Sequence, residues 1–334
     1  MLNMRCNHFF VKIKFTKELF IDLTGIRPIR LFWLNNKRIT VLDQFIRALV
    51  VHIVVAFIAW GVIFSGGDSG QYLNVTQFSN VTIFAACALI AFVVQWIALI
   101  PAFLLKTEHF YDLTGGLTYL TVIAFALWQS GAQDERAILL TFLVAIWASR
   151  LASFLFLRVR KQGSDSRFDD IKLNFWRFSI TWTVQGLWVL MTAGAALAAI
   201  TSTHKAEMGL FALVGTLIWI IGFTIEAVAD NQKRKFKQQQ NTRTEFIQTG
   251  LWARSRHPNY FGEIMLWVGI AIIAYPALHG WQLITLISPV FVTILLTKVS
   301  GISLQEEQAN ERWGDNQAYQ DYKKRTPVLI PKLF

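Results

Sequence analysis

The chain has 334 residues, 54% of them hydrophobic and only 16% charged, with 13 Trp and 27 Phe. Soluble domains carry about 25% charged residues, so this balance excludes an ordinary soluble domain and implies a polytopic membrane protein. The formal net charge of +11 raises a nucleic-acid partner, but Lys and Arg sit in connectors and at span ends rather than along one soluble face, which argues for no nucleic acid. Two cysteines, Cys6 and Cys87, are too few for a zinc cluster or a disulfide framework.

Residues 1–40 contain "VKIKFTKELF" and "RPIRLFWLNNKR". They are basic and interrupted, without the apolar core or small-residue cleavage site of a signal peptide, and read as a cytoplasmic N-terminal arm. Apolar runs follow at about 42–64, 80–105, 115–130, 137–157, 174–200, 208–229, 260–277 and 281–299. Runs of that length match a hydrocarbon core about 30 Å thick. They predict an all-α polytopic membrane helical bundle of about eight transmembrane helices, the third of them short. The first helix and its loop occupy 41–79, and a single membrane domain with a C-terminal surface helix occupies 80–334.

Connectors near 106–112, 158–172 and 230–257 are basic or mixed, whereas 65–79, 131–136, 201–207 and 278–280 are nearly free of Lys and Arg. The positive-inside tendency then puts both termini and the charged connectors in the cytoplasm. After the last span, "ISLQEEQANERWGDNQAYQDYKKRTPVLIPKLF" predicts a helix along the cytoplasmic surface, stopped by Gly314 and later by Pro327 and Pro331. No GxGxxG, GxxxxGK[ST] or CxxC is present, which excludes soluble dinucleotide folds and P-loops as far as motifs can.

Four polar clusters map to the cytoplasmic side. In "WASRLASFLFLRVRKQGSDSRFDD", Arg150 lies well inside a span, where a charge is expensive and faces protein or water. Trp147, Arg150, Phe154 and Arg158 share one helical face, able to hold a flat ring and an anionic group; the alternative is that Arg150 pairs with a structural carboxylate while Arg158 snorkels to headgroups. In "TIEAVADNQKRKFKQQQNTRTEF", Glu226 and Asp230 are one turn apart and precede Lys233, Arg234, Lys235 and Lys237. Such a set suits ribose or amide groups followed by phosphates, or a polybasic segment on anionic lipid.

The third cluster is "GLWARSRHPNYFGE". Pro258 suits the first turn of a span and places Asn259 and Glu263 on one face, and a carboxylate one turn inside a span marks a candidate site. His257 fits a capping role as readily as a catalytic one. The fourth, "KTEHFYDLTGG", carries Glu108, His109, Tyr111 and Asp112. A glutamate in apolar surroundings can stay protonated and donate to a carbonyl oxygen; the alternative is a solvated interface turn.

"TGLWARSRHPNYFGEIMLWVGI", with "ADNQKRKFK" before it and "SLQEEQANERWGDNQAYQDY" and "TPVLIP" after it, resembles the steroid 5-alpha-reductase family, in particular a bacterial branch long labelled a domain of unknown function. "KTEHFYDLTGGLTYL" and the Arg150 stretch are similar too, so the resemblance covers about 80–334. It implies a multi-pass membrane oxidoreductase of lipid metabolism, in a bacterial inner membrane with its active site facing the cytoplasm. NADPH is the implied cofactor, and the implied reaction reduces a carbon–carbon double bond conjugated to a carbonyl in a lipophilic, steroid-like or other lipid substrate. Carried over by position, Arg150, Phe154, Arg158, Asp230, Lys233, Lys237, Arg254, His257, Asn259, Tyr260 and Glu263 would bind the cofactor, with Asn259 and Glu263 on the nicotinamide carboxamide. Glu108 would grip the substrate carbonyl beside Trp147, which stands where the family has a tyrosine, and Tyr111 is the phenol that would substitute. Glu306 and Glu307 stand near the family's C-terminal histidine. No metal is implied. The alternative function is an S-adenosylmethionine-dependent membrane methyltransferase acting on a lipid or prenylated substrate, since distant relatives share the His-Pro pair; membrane lipids are partners in either case.

Overall fold

A computed structural model describes residues 41–74, 80–131, 134–163, 165, 168–239 and 245–332. The expected arm at 1–40 lies outside the described residues. Ten α-helices follow in order: α1 Val41–Gly67, α2 Ile83–Leu104, α3 Tyr111–Ser130, α4 Glu135–Gln162, α5 Phe175–Thr201, α6 Leu210–Gln239, α7 Pro258–Ala274, α8 Ser288–Ile294, α9 Ile302–Trp313 and α10 Gln317–Arg325. No strand occurs among the described residues; of two isolated bridges, Gly70 to Ser202 ties the α1–α2 connector to the end of α5, and Tyr72 to Thr82 closes that connector on itself.

Helix starts follow side-chain caps. Thr82, Asp134 and Asn174 accept from the backbone N–H of Ala85, Ala137 and Arg177, satisfying donors that each helix leaves open. Pro258 occupies the first turn of α7, as expected from its fixed φ and missing N–H. Gly131 and Gly163 end α3 and α4 with positive φ, 55° and 83°, a conformation natural to glycine.

Seven stretches are long and apolar enough to cross a membrane, so the chain is an integral multi-pass protein. The expectation was about eight. The difference is α3, a 20-residue helix whose first half, "YDLTGGLTYL", is too polar to qualify. It still packs in the bundle beside α2, α4 and α5. The span expected at 281–299 is also broken: a 3-10 stretch Gly280–Ile287 leads into α8, then a π turn Leu295–Val299, before α9.

At the centre stands α5, 89% of whose apolar window is buried, against 28% for α1 and α6. Its small-residue run Ala193–Gly194–Ala195–Ala196 lets neighbours approach closely, which is how helices associate where lipid removes the hydrophobic drive. The tightest approach is between α6 and α7. A Cβ on Gly222 would lie 2.6 Å from the carbonyl oxygen of Gly262, and one on Gly269 would lie 2.5 Å from that of Gly215. The two glycine pairs are about two turns apart and hold the antiparallel backbones in contact. This brings the C-terminal half of α6, with Glu226 and Asp230, against the start of α7, with Asn259 and Glu263.

Gly262→Ala should therefore lower stability by about 1–3 kcal/mol, because its methyl meets backbone rather than a side chain that can swing away. Gly61→Ala, whose Cβ meets nothing within 4 Å, serves as the neutral control. Thermal unfolding of both variants in one mild detergent checks the difference.

Candidate functional site

The site begins with Arg150. From α4 its guanidinium reaches across to α6, pairing with Glu226 at 2.5 Å and also with Asp230 one turn on. Phe154 and Phe223 flank it, their ring centroids 5.9 and 5.7 Å from the guanidinium carbon. Glu226 and Asp230 are 2% and 7% exposed, so each needs the cation, and Arg150 needs both. Its deep position thus has the carboxylate partners that sequence reasoning offered as one of two readings. Glu263 of α7 is buried as well and stands within electrostatic reach of Glu226, Asp230 and Arg150. Asn259, one turn before it, lies beside Asp230, and its Oδ1 has no partner among the described residues.

Beyond this group, toward the C-terminal ends of α4 and α6, lies a run of cations. Lys233 and Lys237 of α6 sit within electrostatic reach of each other and of Arg158 on α4, and Lys237 also of Arg312 on α9. Asp112 lies 3.8 Å from Arg158. Lys233 donates to Gln305 Oε1 at 2.9 Å and rests 4.7 Å over the Trp252 ring. Like charges gathered from three helices repel, and an anion among them would relieve that repulsion.

The His257 turn closes this end. Ser255 Oγ accepts from the His257 backbone N–H, and Glu306 of α9 receives both His257 Nε2, at 2.9 Å, and Arg256, at 2.6 Å. Burial pushes the His257 imidazole below its ordinary range despite Glu306, and leaves Nδ1 without a partner among the described residues. Tyr260 stacks on His257 with centroids 5.7 Å apart and accepts from Gln305 Nε2. Arg254 is exposed, with its carbonyl taken by the Lys332 N–H, so it stands apart from the buried groups.

Glu108 and Tyr111 have different surroundings from those expected. Glu108 is 2% exposed, but it accepts from Lys172 Nζ at 2.8 Å and from the Asp165 N–H at 2.9 Å. Burial alone would raise its pKa; the Lys172 and Asp165 hydrogen bonds and the Lys172 charge outweigh that and hold it below the usual carboxylate range. The carboxyl expected to stay neutral is thus ionised, and it ties the α4–α5 connector to the end of α2. The Tyr111 hydroxyl donates to the Thr181 carbonyl at 3.1 Å.

A further cluster lies deeper. Trp147 packs edge-on to Tyr119 of α3 and Trp267 of α7, with centroids 5.1 and 4.9 Å apart. Tyr119 also lies against Thr192 of α5. Tyr119, Gln305 and Arg312 were not singled out from sequence. Arg312 and Gln305 sit in an ordinary polar helix, and Tyr119 reads as one more aromatic in a span.

Because its folded pKa is depressed, the Glu108–Lys172 pair contributes stability that is present above the unfolded carboxylate value, 4.5, and is lost as pH falls below it. Wild-type melting temperature should fall more steeply than that of Glu108→Gln on acidification below pH 4.5. Parallel melting curves against pH check this.

The family described as "Protein of unknown function (DUF1295)" matches residues 96–326. Bovine "3-oxo-5-alpha-steroid 4-dehydrogenase 1" is 27% identical over 122 residues, 36% of this chain and 42% of that protein. The Saccharomyces cerevisiae Delta(14)-sterol reductase is 28% identical over 147 residues, 40% of this chain and 31% of the yeast protein. The mouse Delta(14)-sterol reductase is 26% identical over 151 residues, 39% and 33% of the two chains. The chain thus spans less than half the length of these curated relatives, and no solved structure matches it. With most of its length inside the match, including Arg150, the cation run and the His257 turn, the chain belongs to the DUF1295 family, a steroid 5-alpha-reductase-like family of membrane proteins.

Proposed function

We propose that the protein is a membrane reductase that transfers hydride from NADPH to a carbon–carbon double bond conjugated to a carbonyl in a lipophilic substrate. The active site faces the cytoplasm of a bacterial inner membrane. The observation that carries this reading is the run of Arg158, Lys233, Lys237 and Arg312 beside the group of buried Asp230 and half-buried Arg150 and Asn259. A dinucleotide has that order of chemistry, phosphates at one end and a neutral amide at the other.

The residues fit the cofactor. Arg158, Lys233, Lys237 and Arg312 supply positive charge for the phosphates. Asp230 and Glu226, fixed by Arg150, offer carboxylate oxygens to ribose hydroxyls. Asn259 Oδ1 is a buried acceptor without a partner among the described residues, suited to a carboxamide N–H, and Glu263 adds a second acceptor one turn on. His257, held by Glu306, and Tyr260, held by Gln305, form the rim; Phe154 walls the channel beside Arg150. When bound, NADPH supplies the hydride. The protein orients, excludes water and fixes charge around the reacting atoms. Relatives whose names denote steroid dehydrogenation and sterol reduction support a lipophilic, unsaturated substrate. A cationic sulfonium gains nothing from four clustered cations, which disfavours S-adenosylmethionine.

Titrating the purified protein with NADPH, NADH and S-adenosylmethionine tests this. NADPH should bind most tightly, because NADH lacks the 2′-phosphate. Lys237→Glu should weaken NADPH by about tenfold or more, one charge-assisted contact being worth about 1.5–3 kcal/mol. Asn259→Ala should weaken NADPH and NADH alike. Binding of S-adenosylmethionine without NADPH would refute the reading.

A further inference from the structure

The apolar span that opens at Pro258 runs 20 residues to Ala277. At about 1.5 Å per residue it matches a hydrocarbon core about 30 Å thick, so Pro258 stands at the edge of that core and residues 254–256 at the level of the headgroups. Segment 327–332 is pinned at that level. Arg256 donates its backbone N–H to the Pro327 carbonyl at 2.9 Å, Ser255 Oγ donates to the Leu329 carbonyl at 2.7 Å, and the Lys332 N–H reaches the Arg254 carbonyl at 3.0 Å. Within the segment Leu329 is half-buried, whereas Val328 and Ile330 are 39% and 70% exposed.

Two features of this stretch suit lipid rather than water. Its exposed side chains are aliphatic, and Pro327 and Pro331 carry no backbone N–H, which lowers the cost of taking the stretch out of water. Around it stand exposed cations. Lys332 Nζ donates to the Arg325 carbonyl at 2.5 Å, Arg325 donates to Gln248 Oε1 at 2.6 Å, and Arg254 joins them through the Lys332 backbone. Those acceptors are neutral, so they do not cancel the charge of Arg325 or Lys332. Aliphatic tips ringed by cations at headgroup depth match acyl chains topped by phosphates.

We propose that segment 327–332 is a docking surface for anionic membrane lipid, in which Val328 and Ile330 enter the acyl boundary while Arg254, Arg325 and Lys332 hold the lipid phosphates. This seat uses none of the groups assigned above to NADPH, so it stands whether or not the chain binds a dinucleotide. Each cation near a membrane surface raises the local preference for anionic over zwitterionic headgroups about fivefold. The lipid also acts at one remove. Because the three hydrogen bonds of the segment end on residues 254–256, seating it on the bilayer steadies the turn that opens α7.

The test uses the full chain in nanodiscs of phosphatidylcholine, with and without phosphatidylglycerol. A bimane label on Ile330→Cys, in a Cys6→Ser background with Cys87 buried, reads the depth and identity of neighbouring lipid by quenching. A nitroxide at a shallow acyl carbon should quench it more than one at a deep carbon, and aqueous iodide should quench it little. Carried on phosphatidylglycerol, the shallow nitroxide should quench at lower lipid fraction than on phosphatidylcholine, and Lys332→Glu or Arg325→Glu should shrink that preference by about fivefold or more. In the unlabelled chain, amide exchange over residues 255–257 should be slower with phosphatidylglycerol than without, and Lys332→Glu should abolish the difference. Strong iodide quenching with none from either lipid would mean that the segment faces the cytoplasm, ready for a protein instead, and overturns the assignment. Equal quenching by the two lipids, a preference that survives both charge reversals, or exchange that ignores lipid charge in the unlabelled chain overturns it as well.

Discussion

Arg150 crosses from α4 to Glu226 and Asp230 on α6, and such a group persists in an apolar bundle only because every charge keeps its partner. Removing the cation would strand two carboxylates beside a third, Glu263. Removing either carboxylate would leave the guanidinium under-compensated. The triad therefore fixes which faces of α4 and α6 meet. That registry, in turn, aligns Phe154 and Arg158 on α4 with Lys233 and Lys237 on α6, so that an aromatic wall and a run of cations lie along one path.

The glycine contacts between α6 and α7 extend the same registry to a third helix. A single methyl at Gly222 or Gly262 would push the backbones apart and separate Asp230 from Asn259. Over this arrangement lies α9, whose neighbouring residues Gln305 and Glu306 grip four groups: Lys233 and Tyr260 by the first, Arg256 and His257 by the second. The polar end of the bundle is thus one hydrogen-bonded unit. In the aromatic cluster beneath it, the Tyr119, Trp147 and Trp267 rings pack on one another.

Much of this was legible because membrane insertion penalises misplaced polarity. The apolar runs gave the spans, Arg150 announced itself by depth, and Pro258 set the start of α7 together with the shared face of Asn259 and Glu263. Other features leave no local signal. The fate of Glu108 depended on Lys172, far along the chain, so its place at the end of an apolar span pointed to a neutral acid where the fold makes an ion pair. Likewise α3 packs among other helices and tolerates Thr, Gly and Tyr that lipid would not, which is why counting by apolarity alone misjudges it. Tyr119 was invisible for a related reason: among 27 Phe, 13 Trp and 7 Tyr, one phenol in a span has no mark until its neighbours are known.

Segment 327–332 straps the turn that opens α7. The Pro327 carbonyl receives the Arg256 N–H, the Leu329 carbonyl receives Ser255 Oγ, and the Lys332 N–H reaches the Arg254 carbonyl. These partners follow α7 in the chain and so leave the ribosome after it. Until then the His257 turn lacks these three hydrogen bonds, so the polar end of the bundle is completed by the last part of the chain. A nascent chain would therefore hold its apolar spans before the turn at the head of α7 is tied down, and cleavage near residue 327 would leave that turn without its strap.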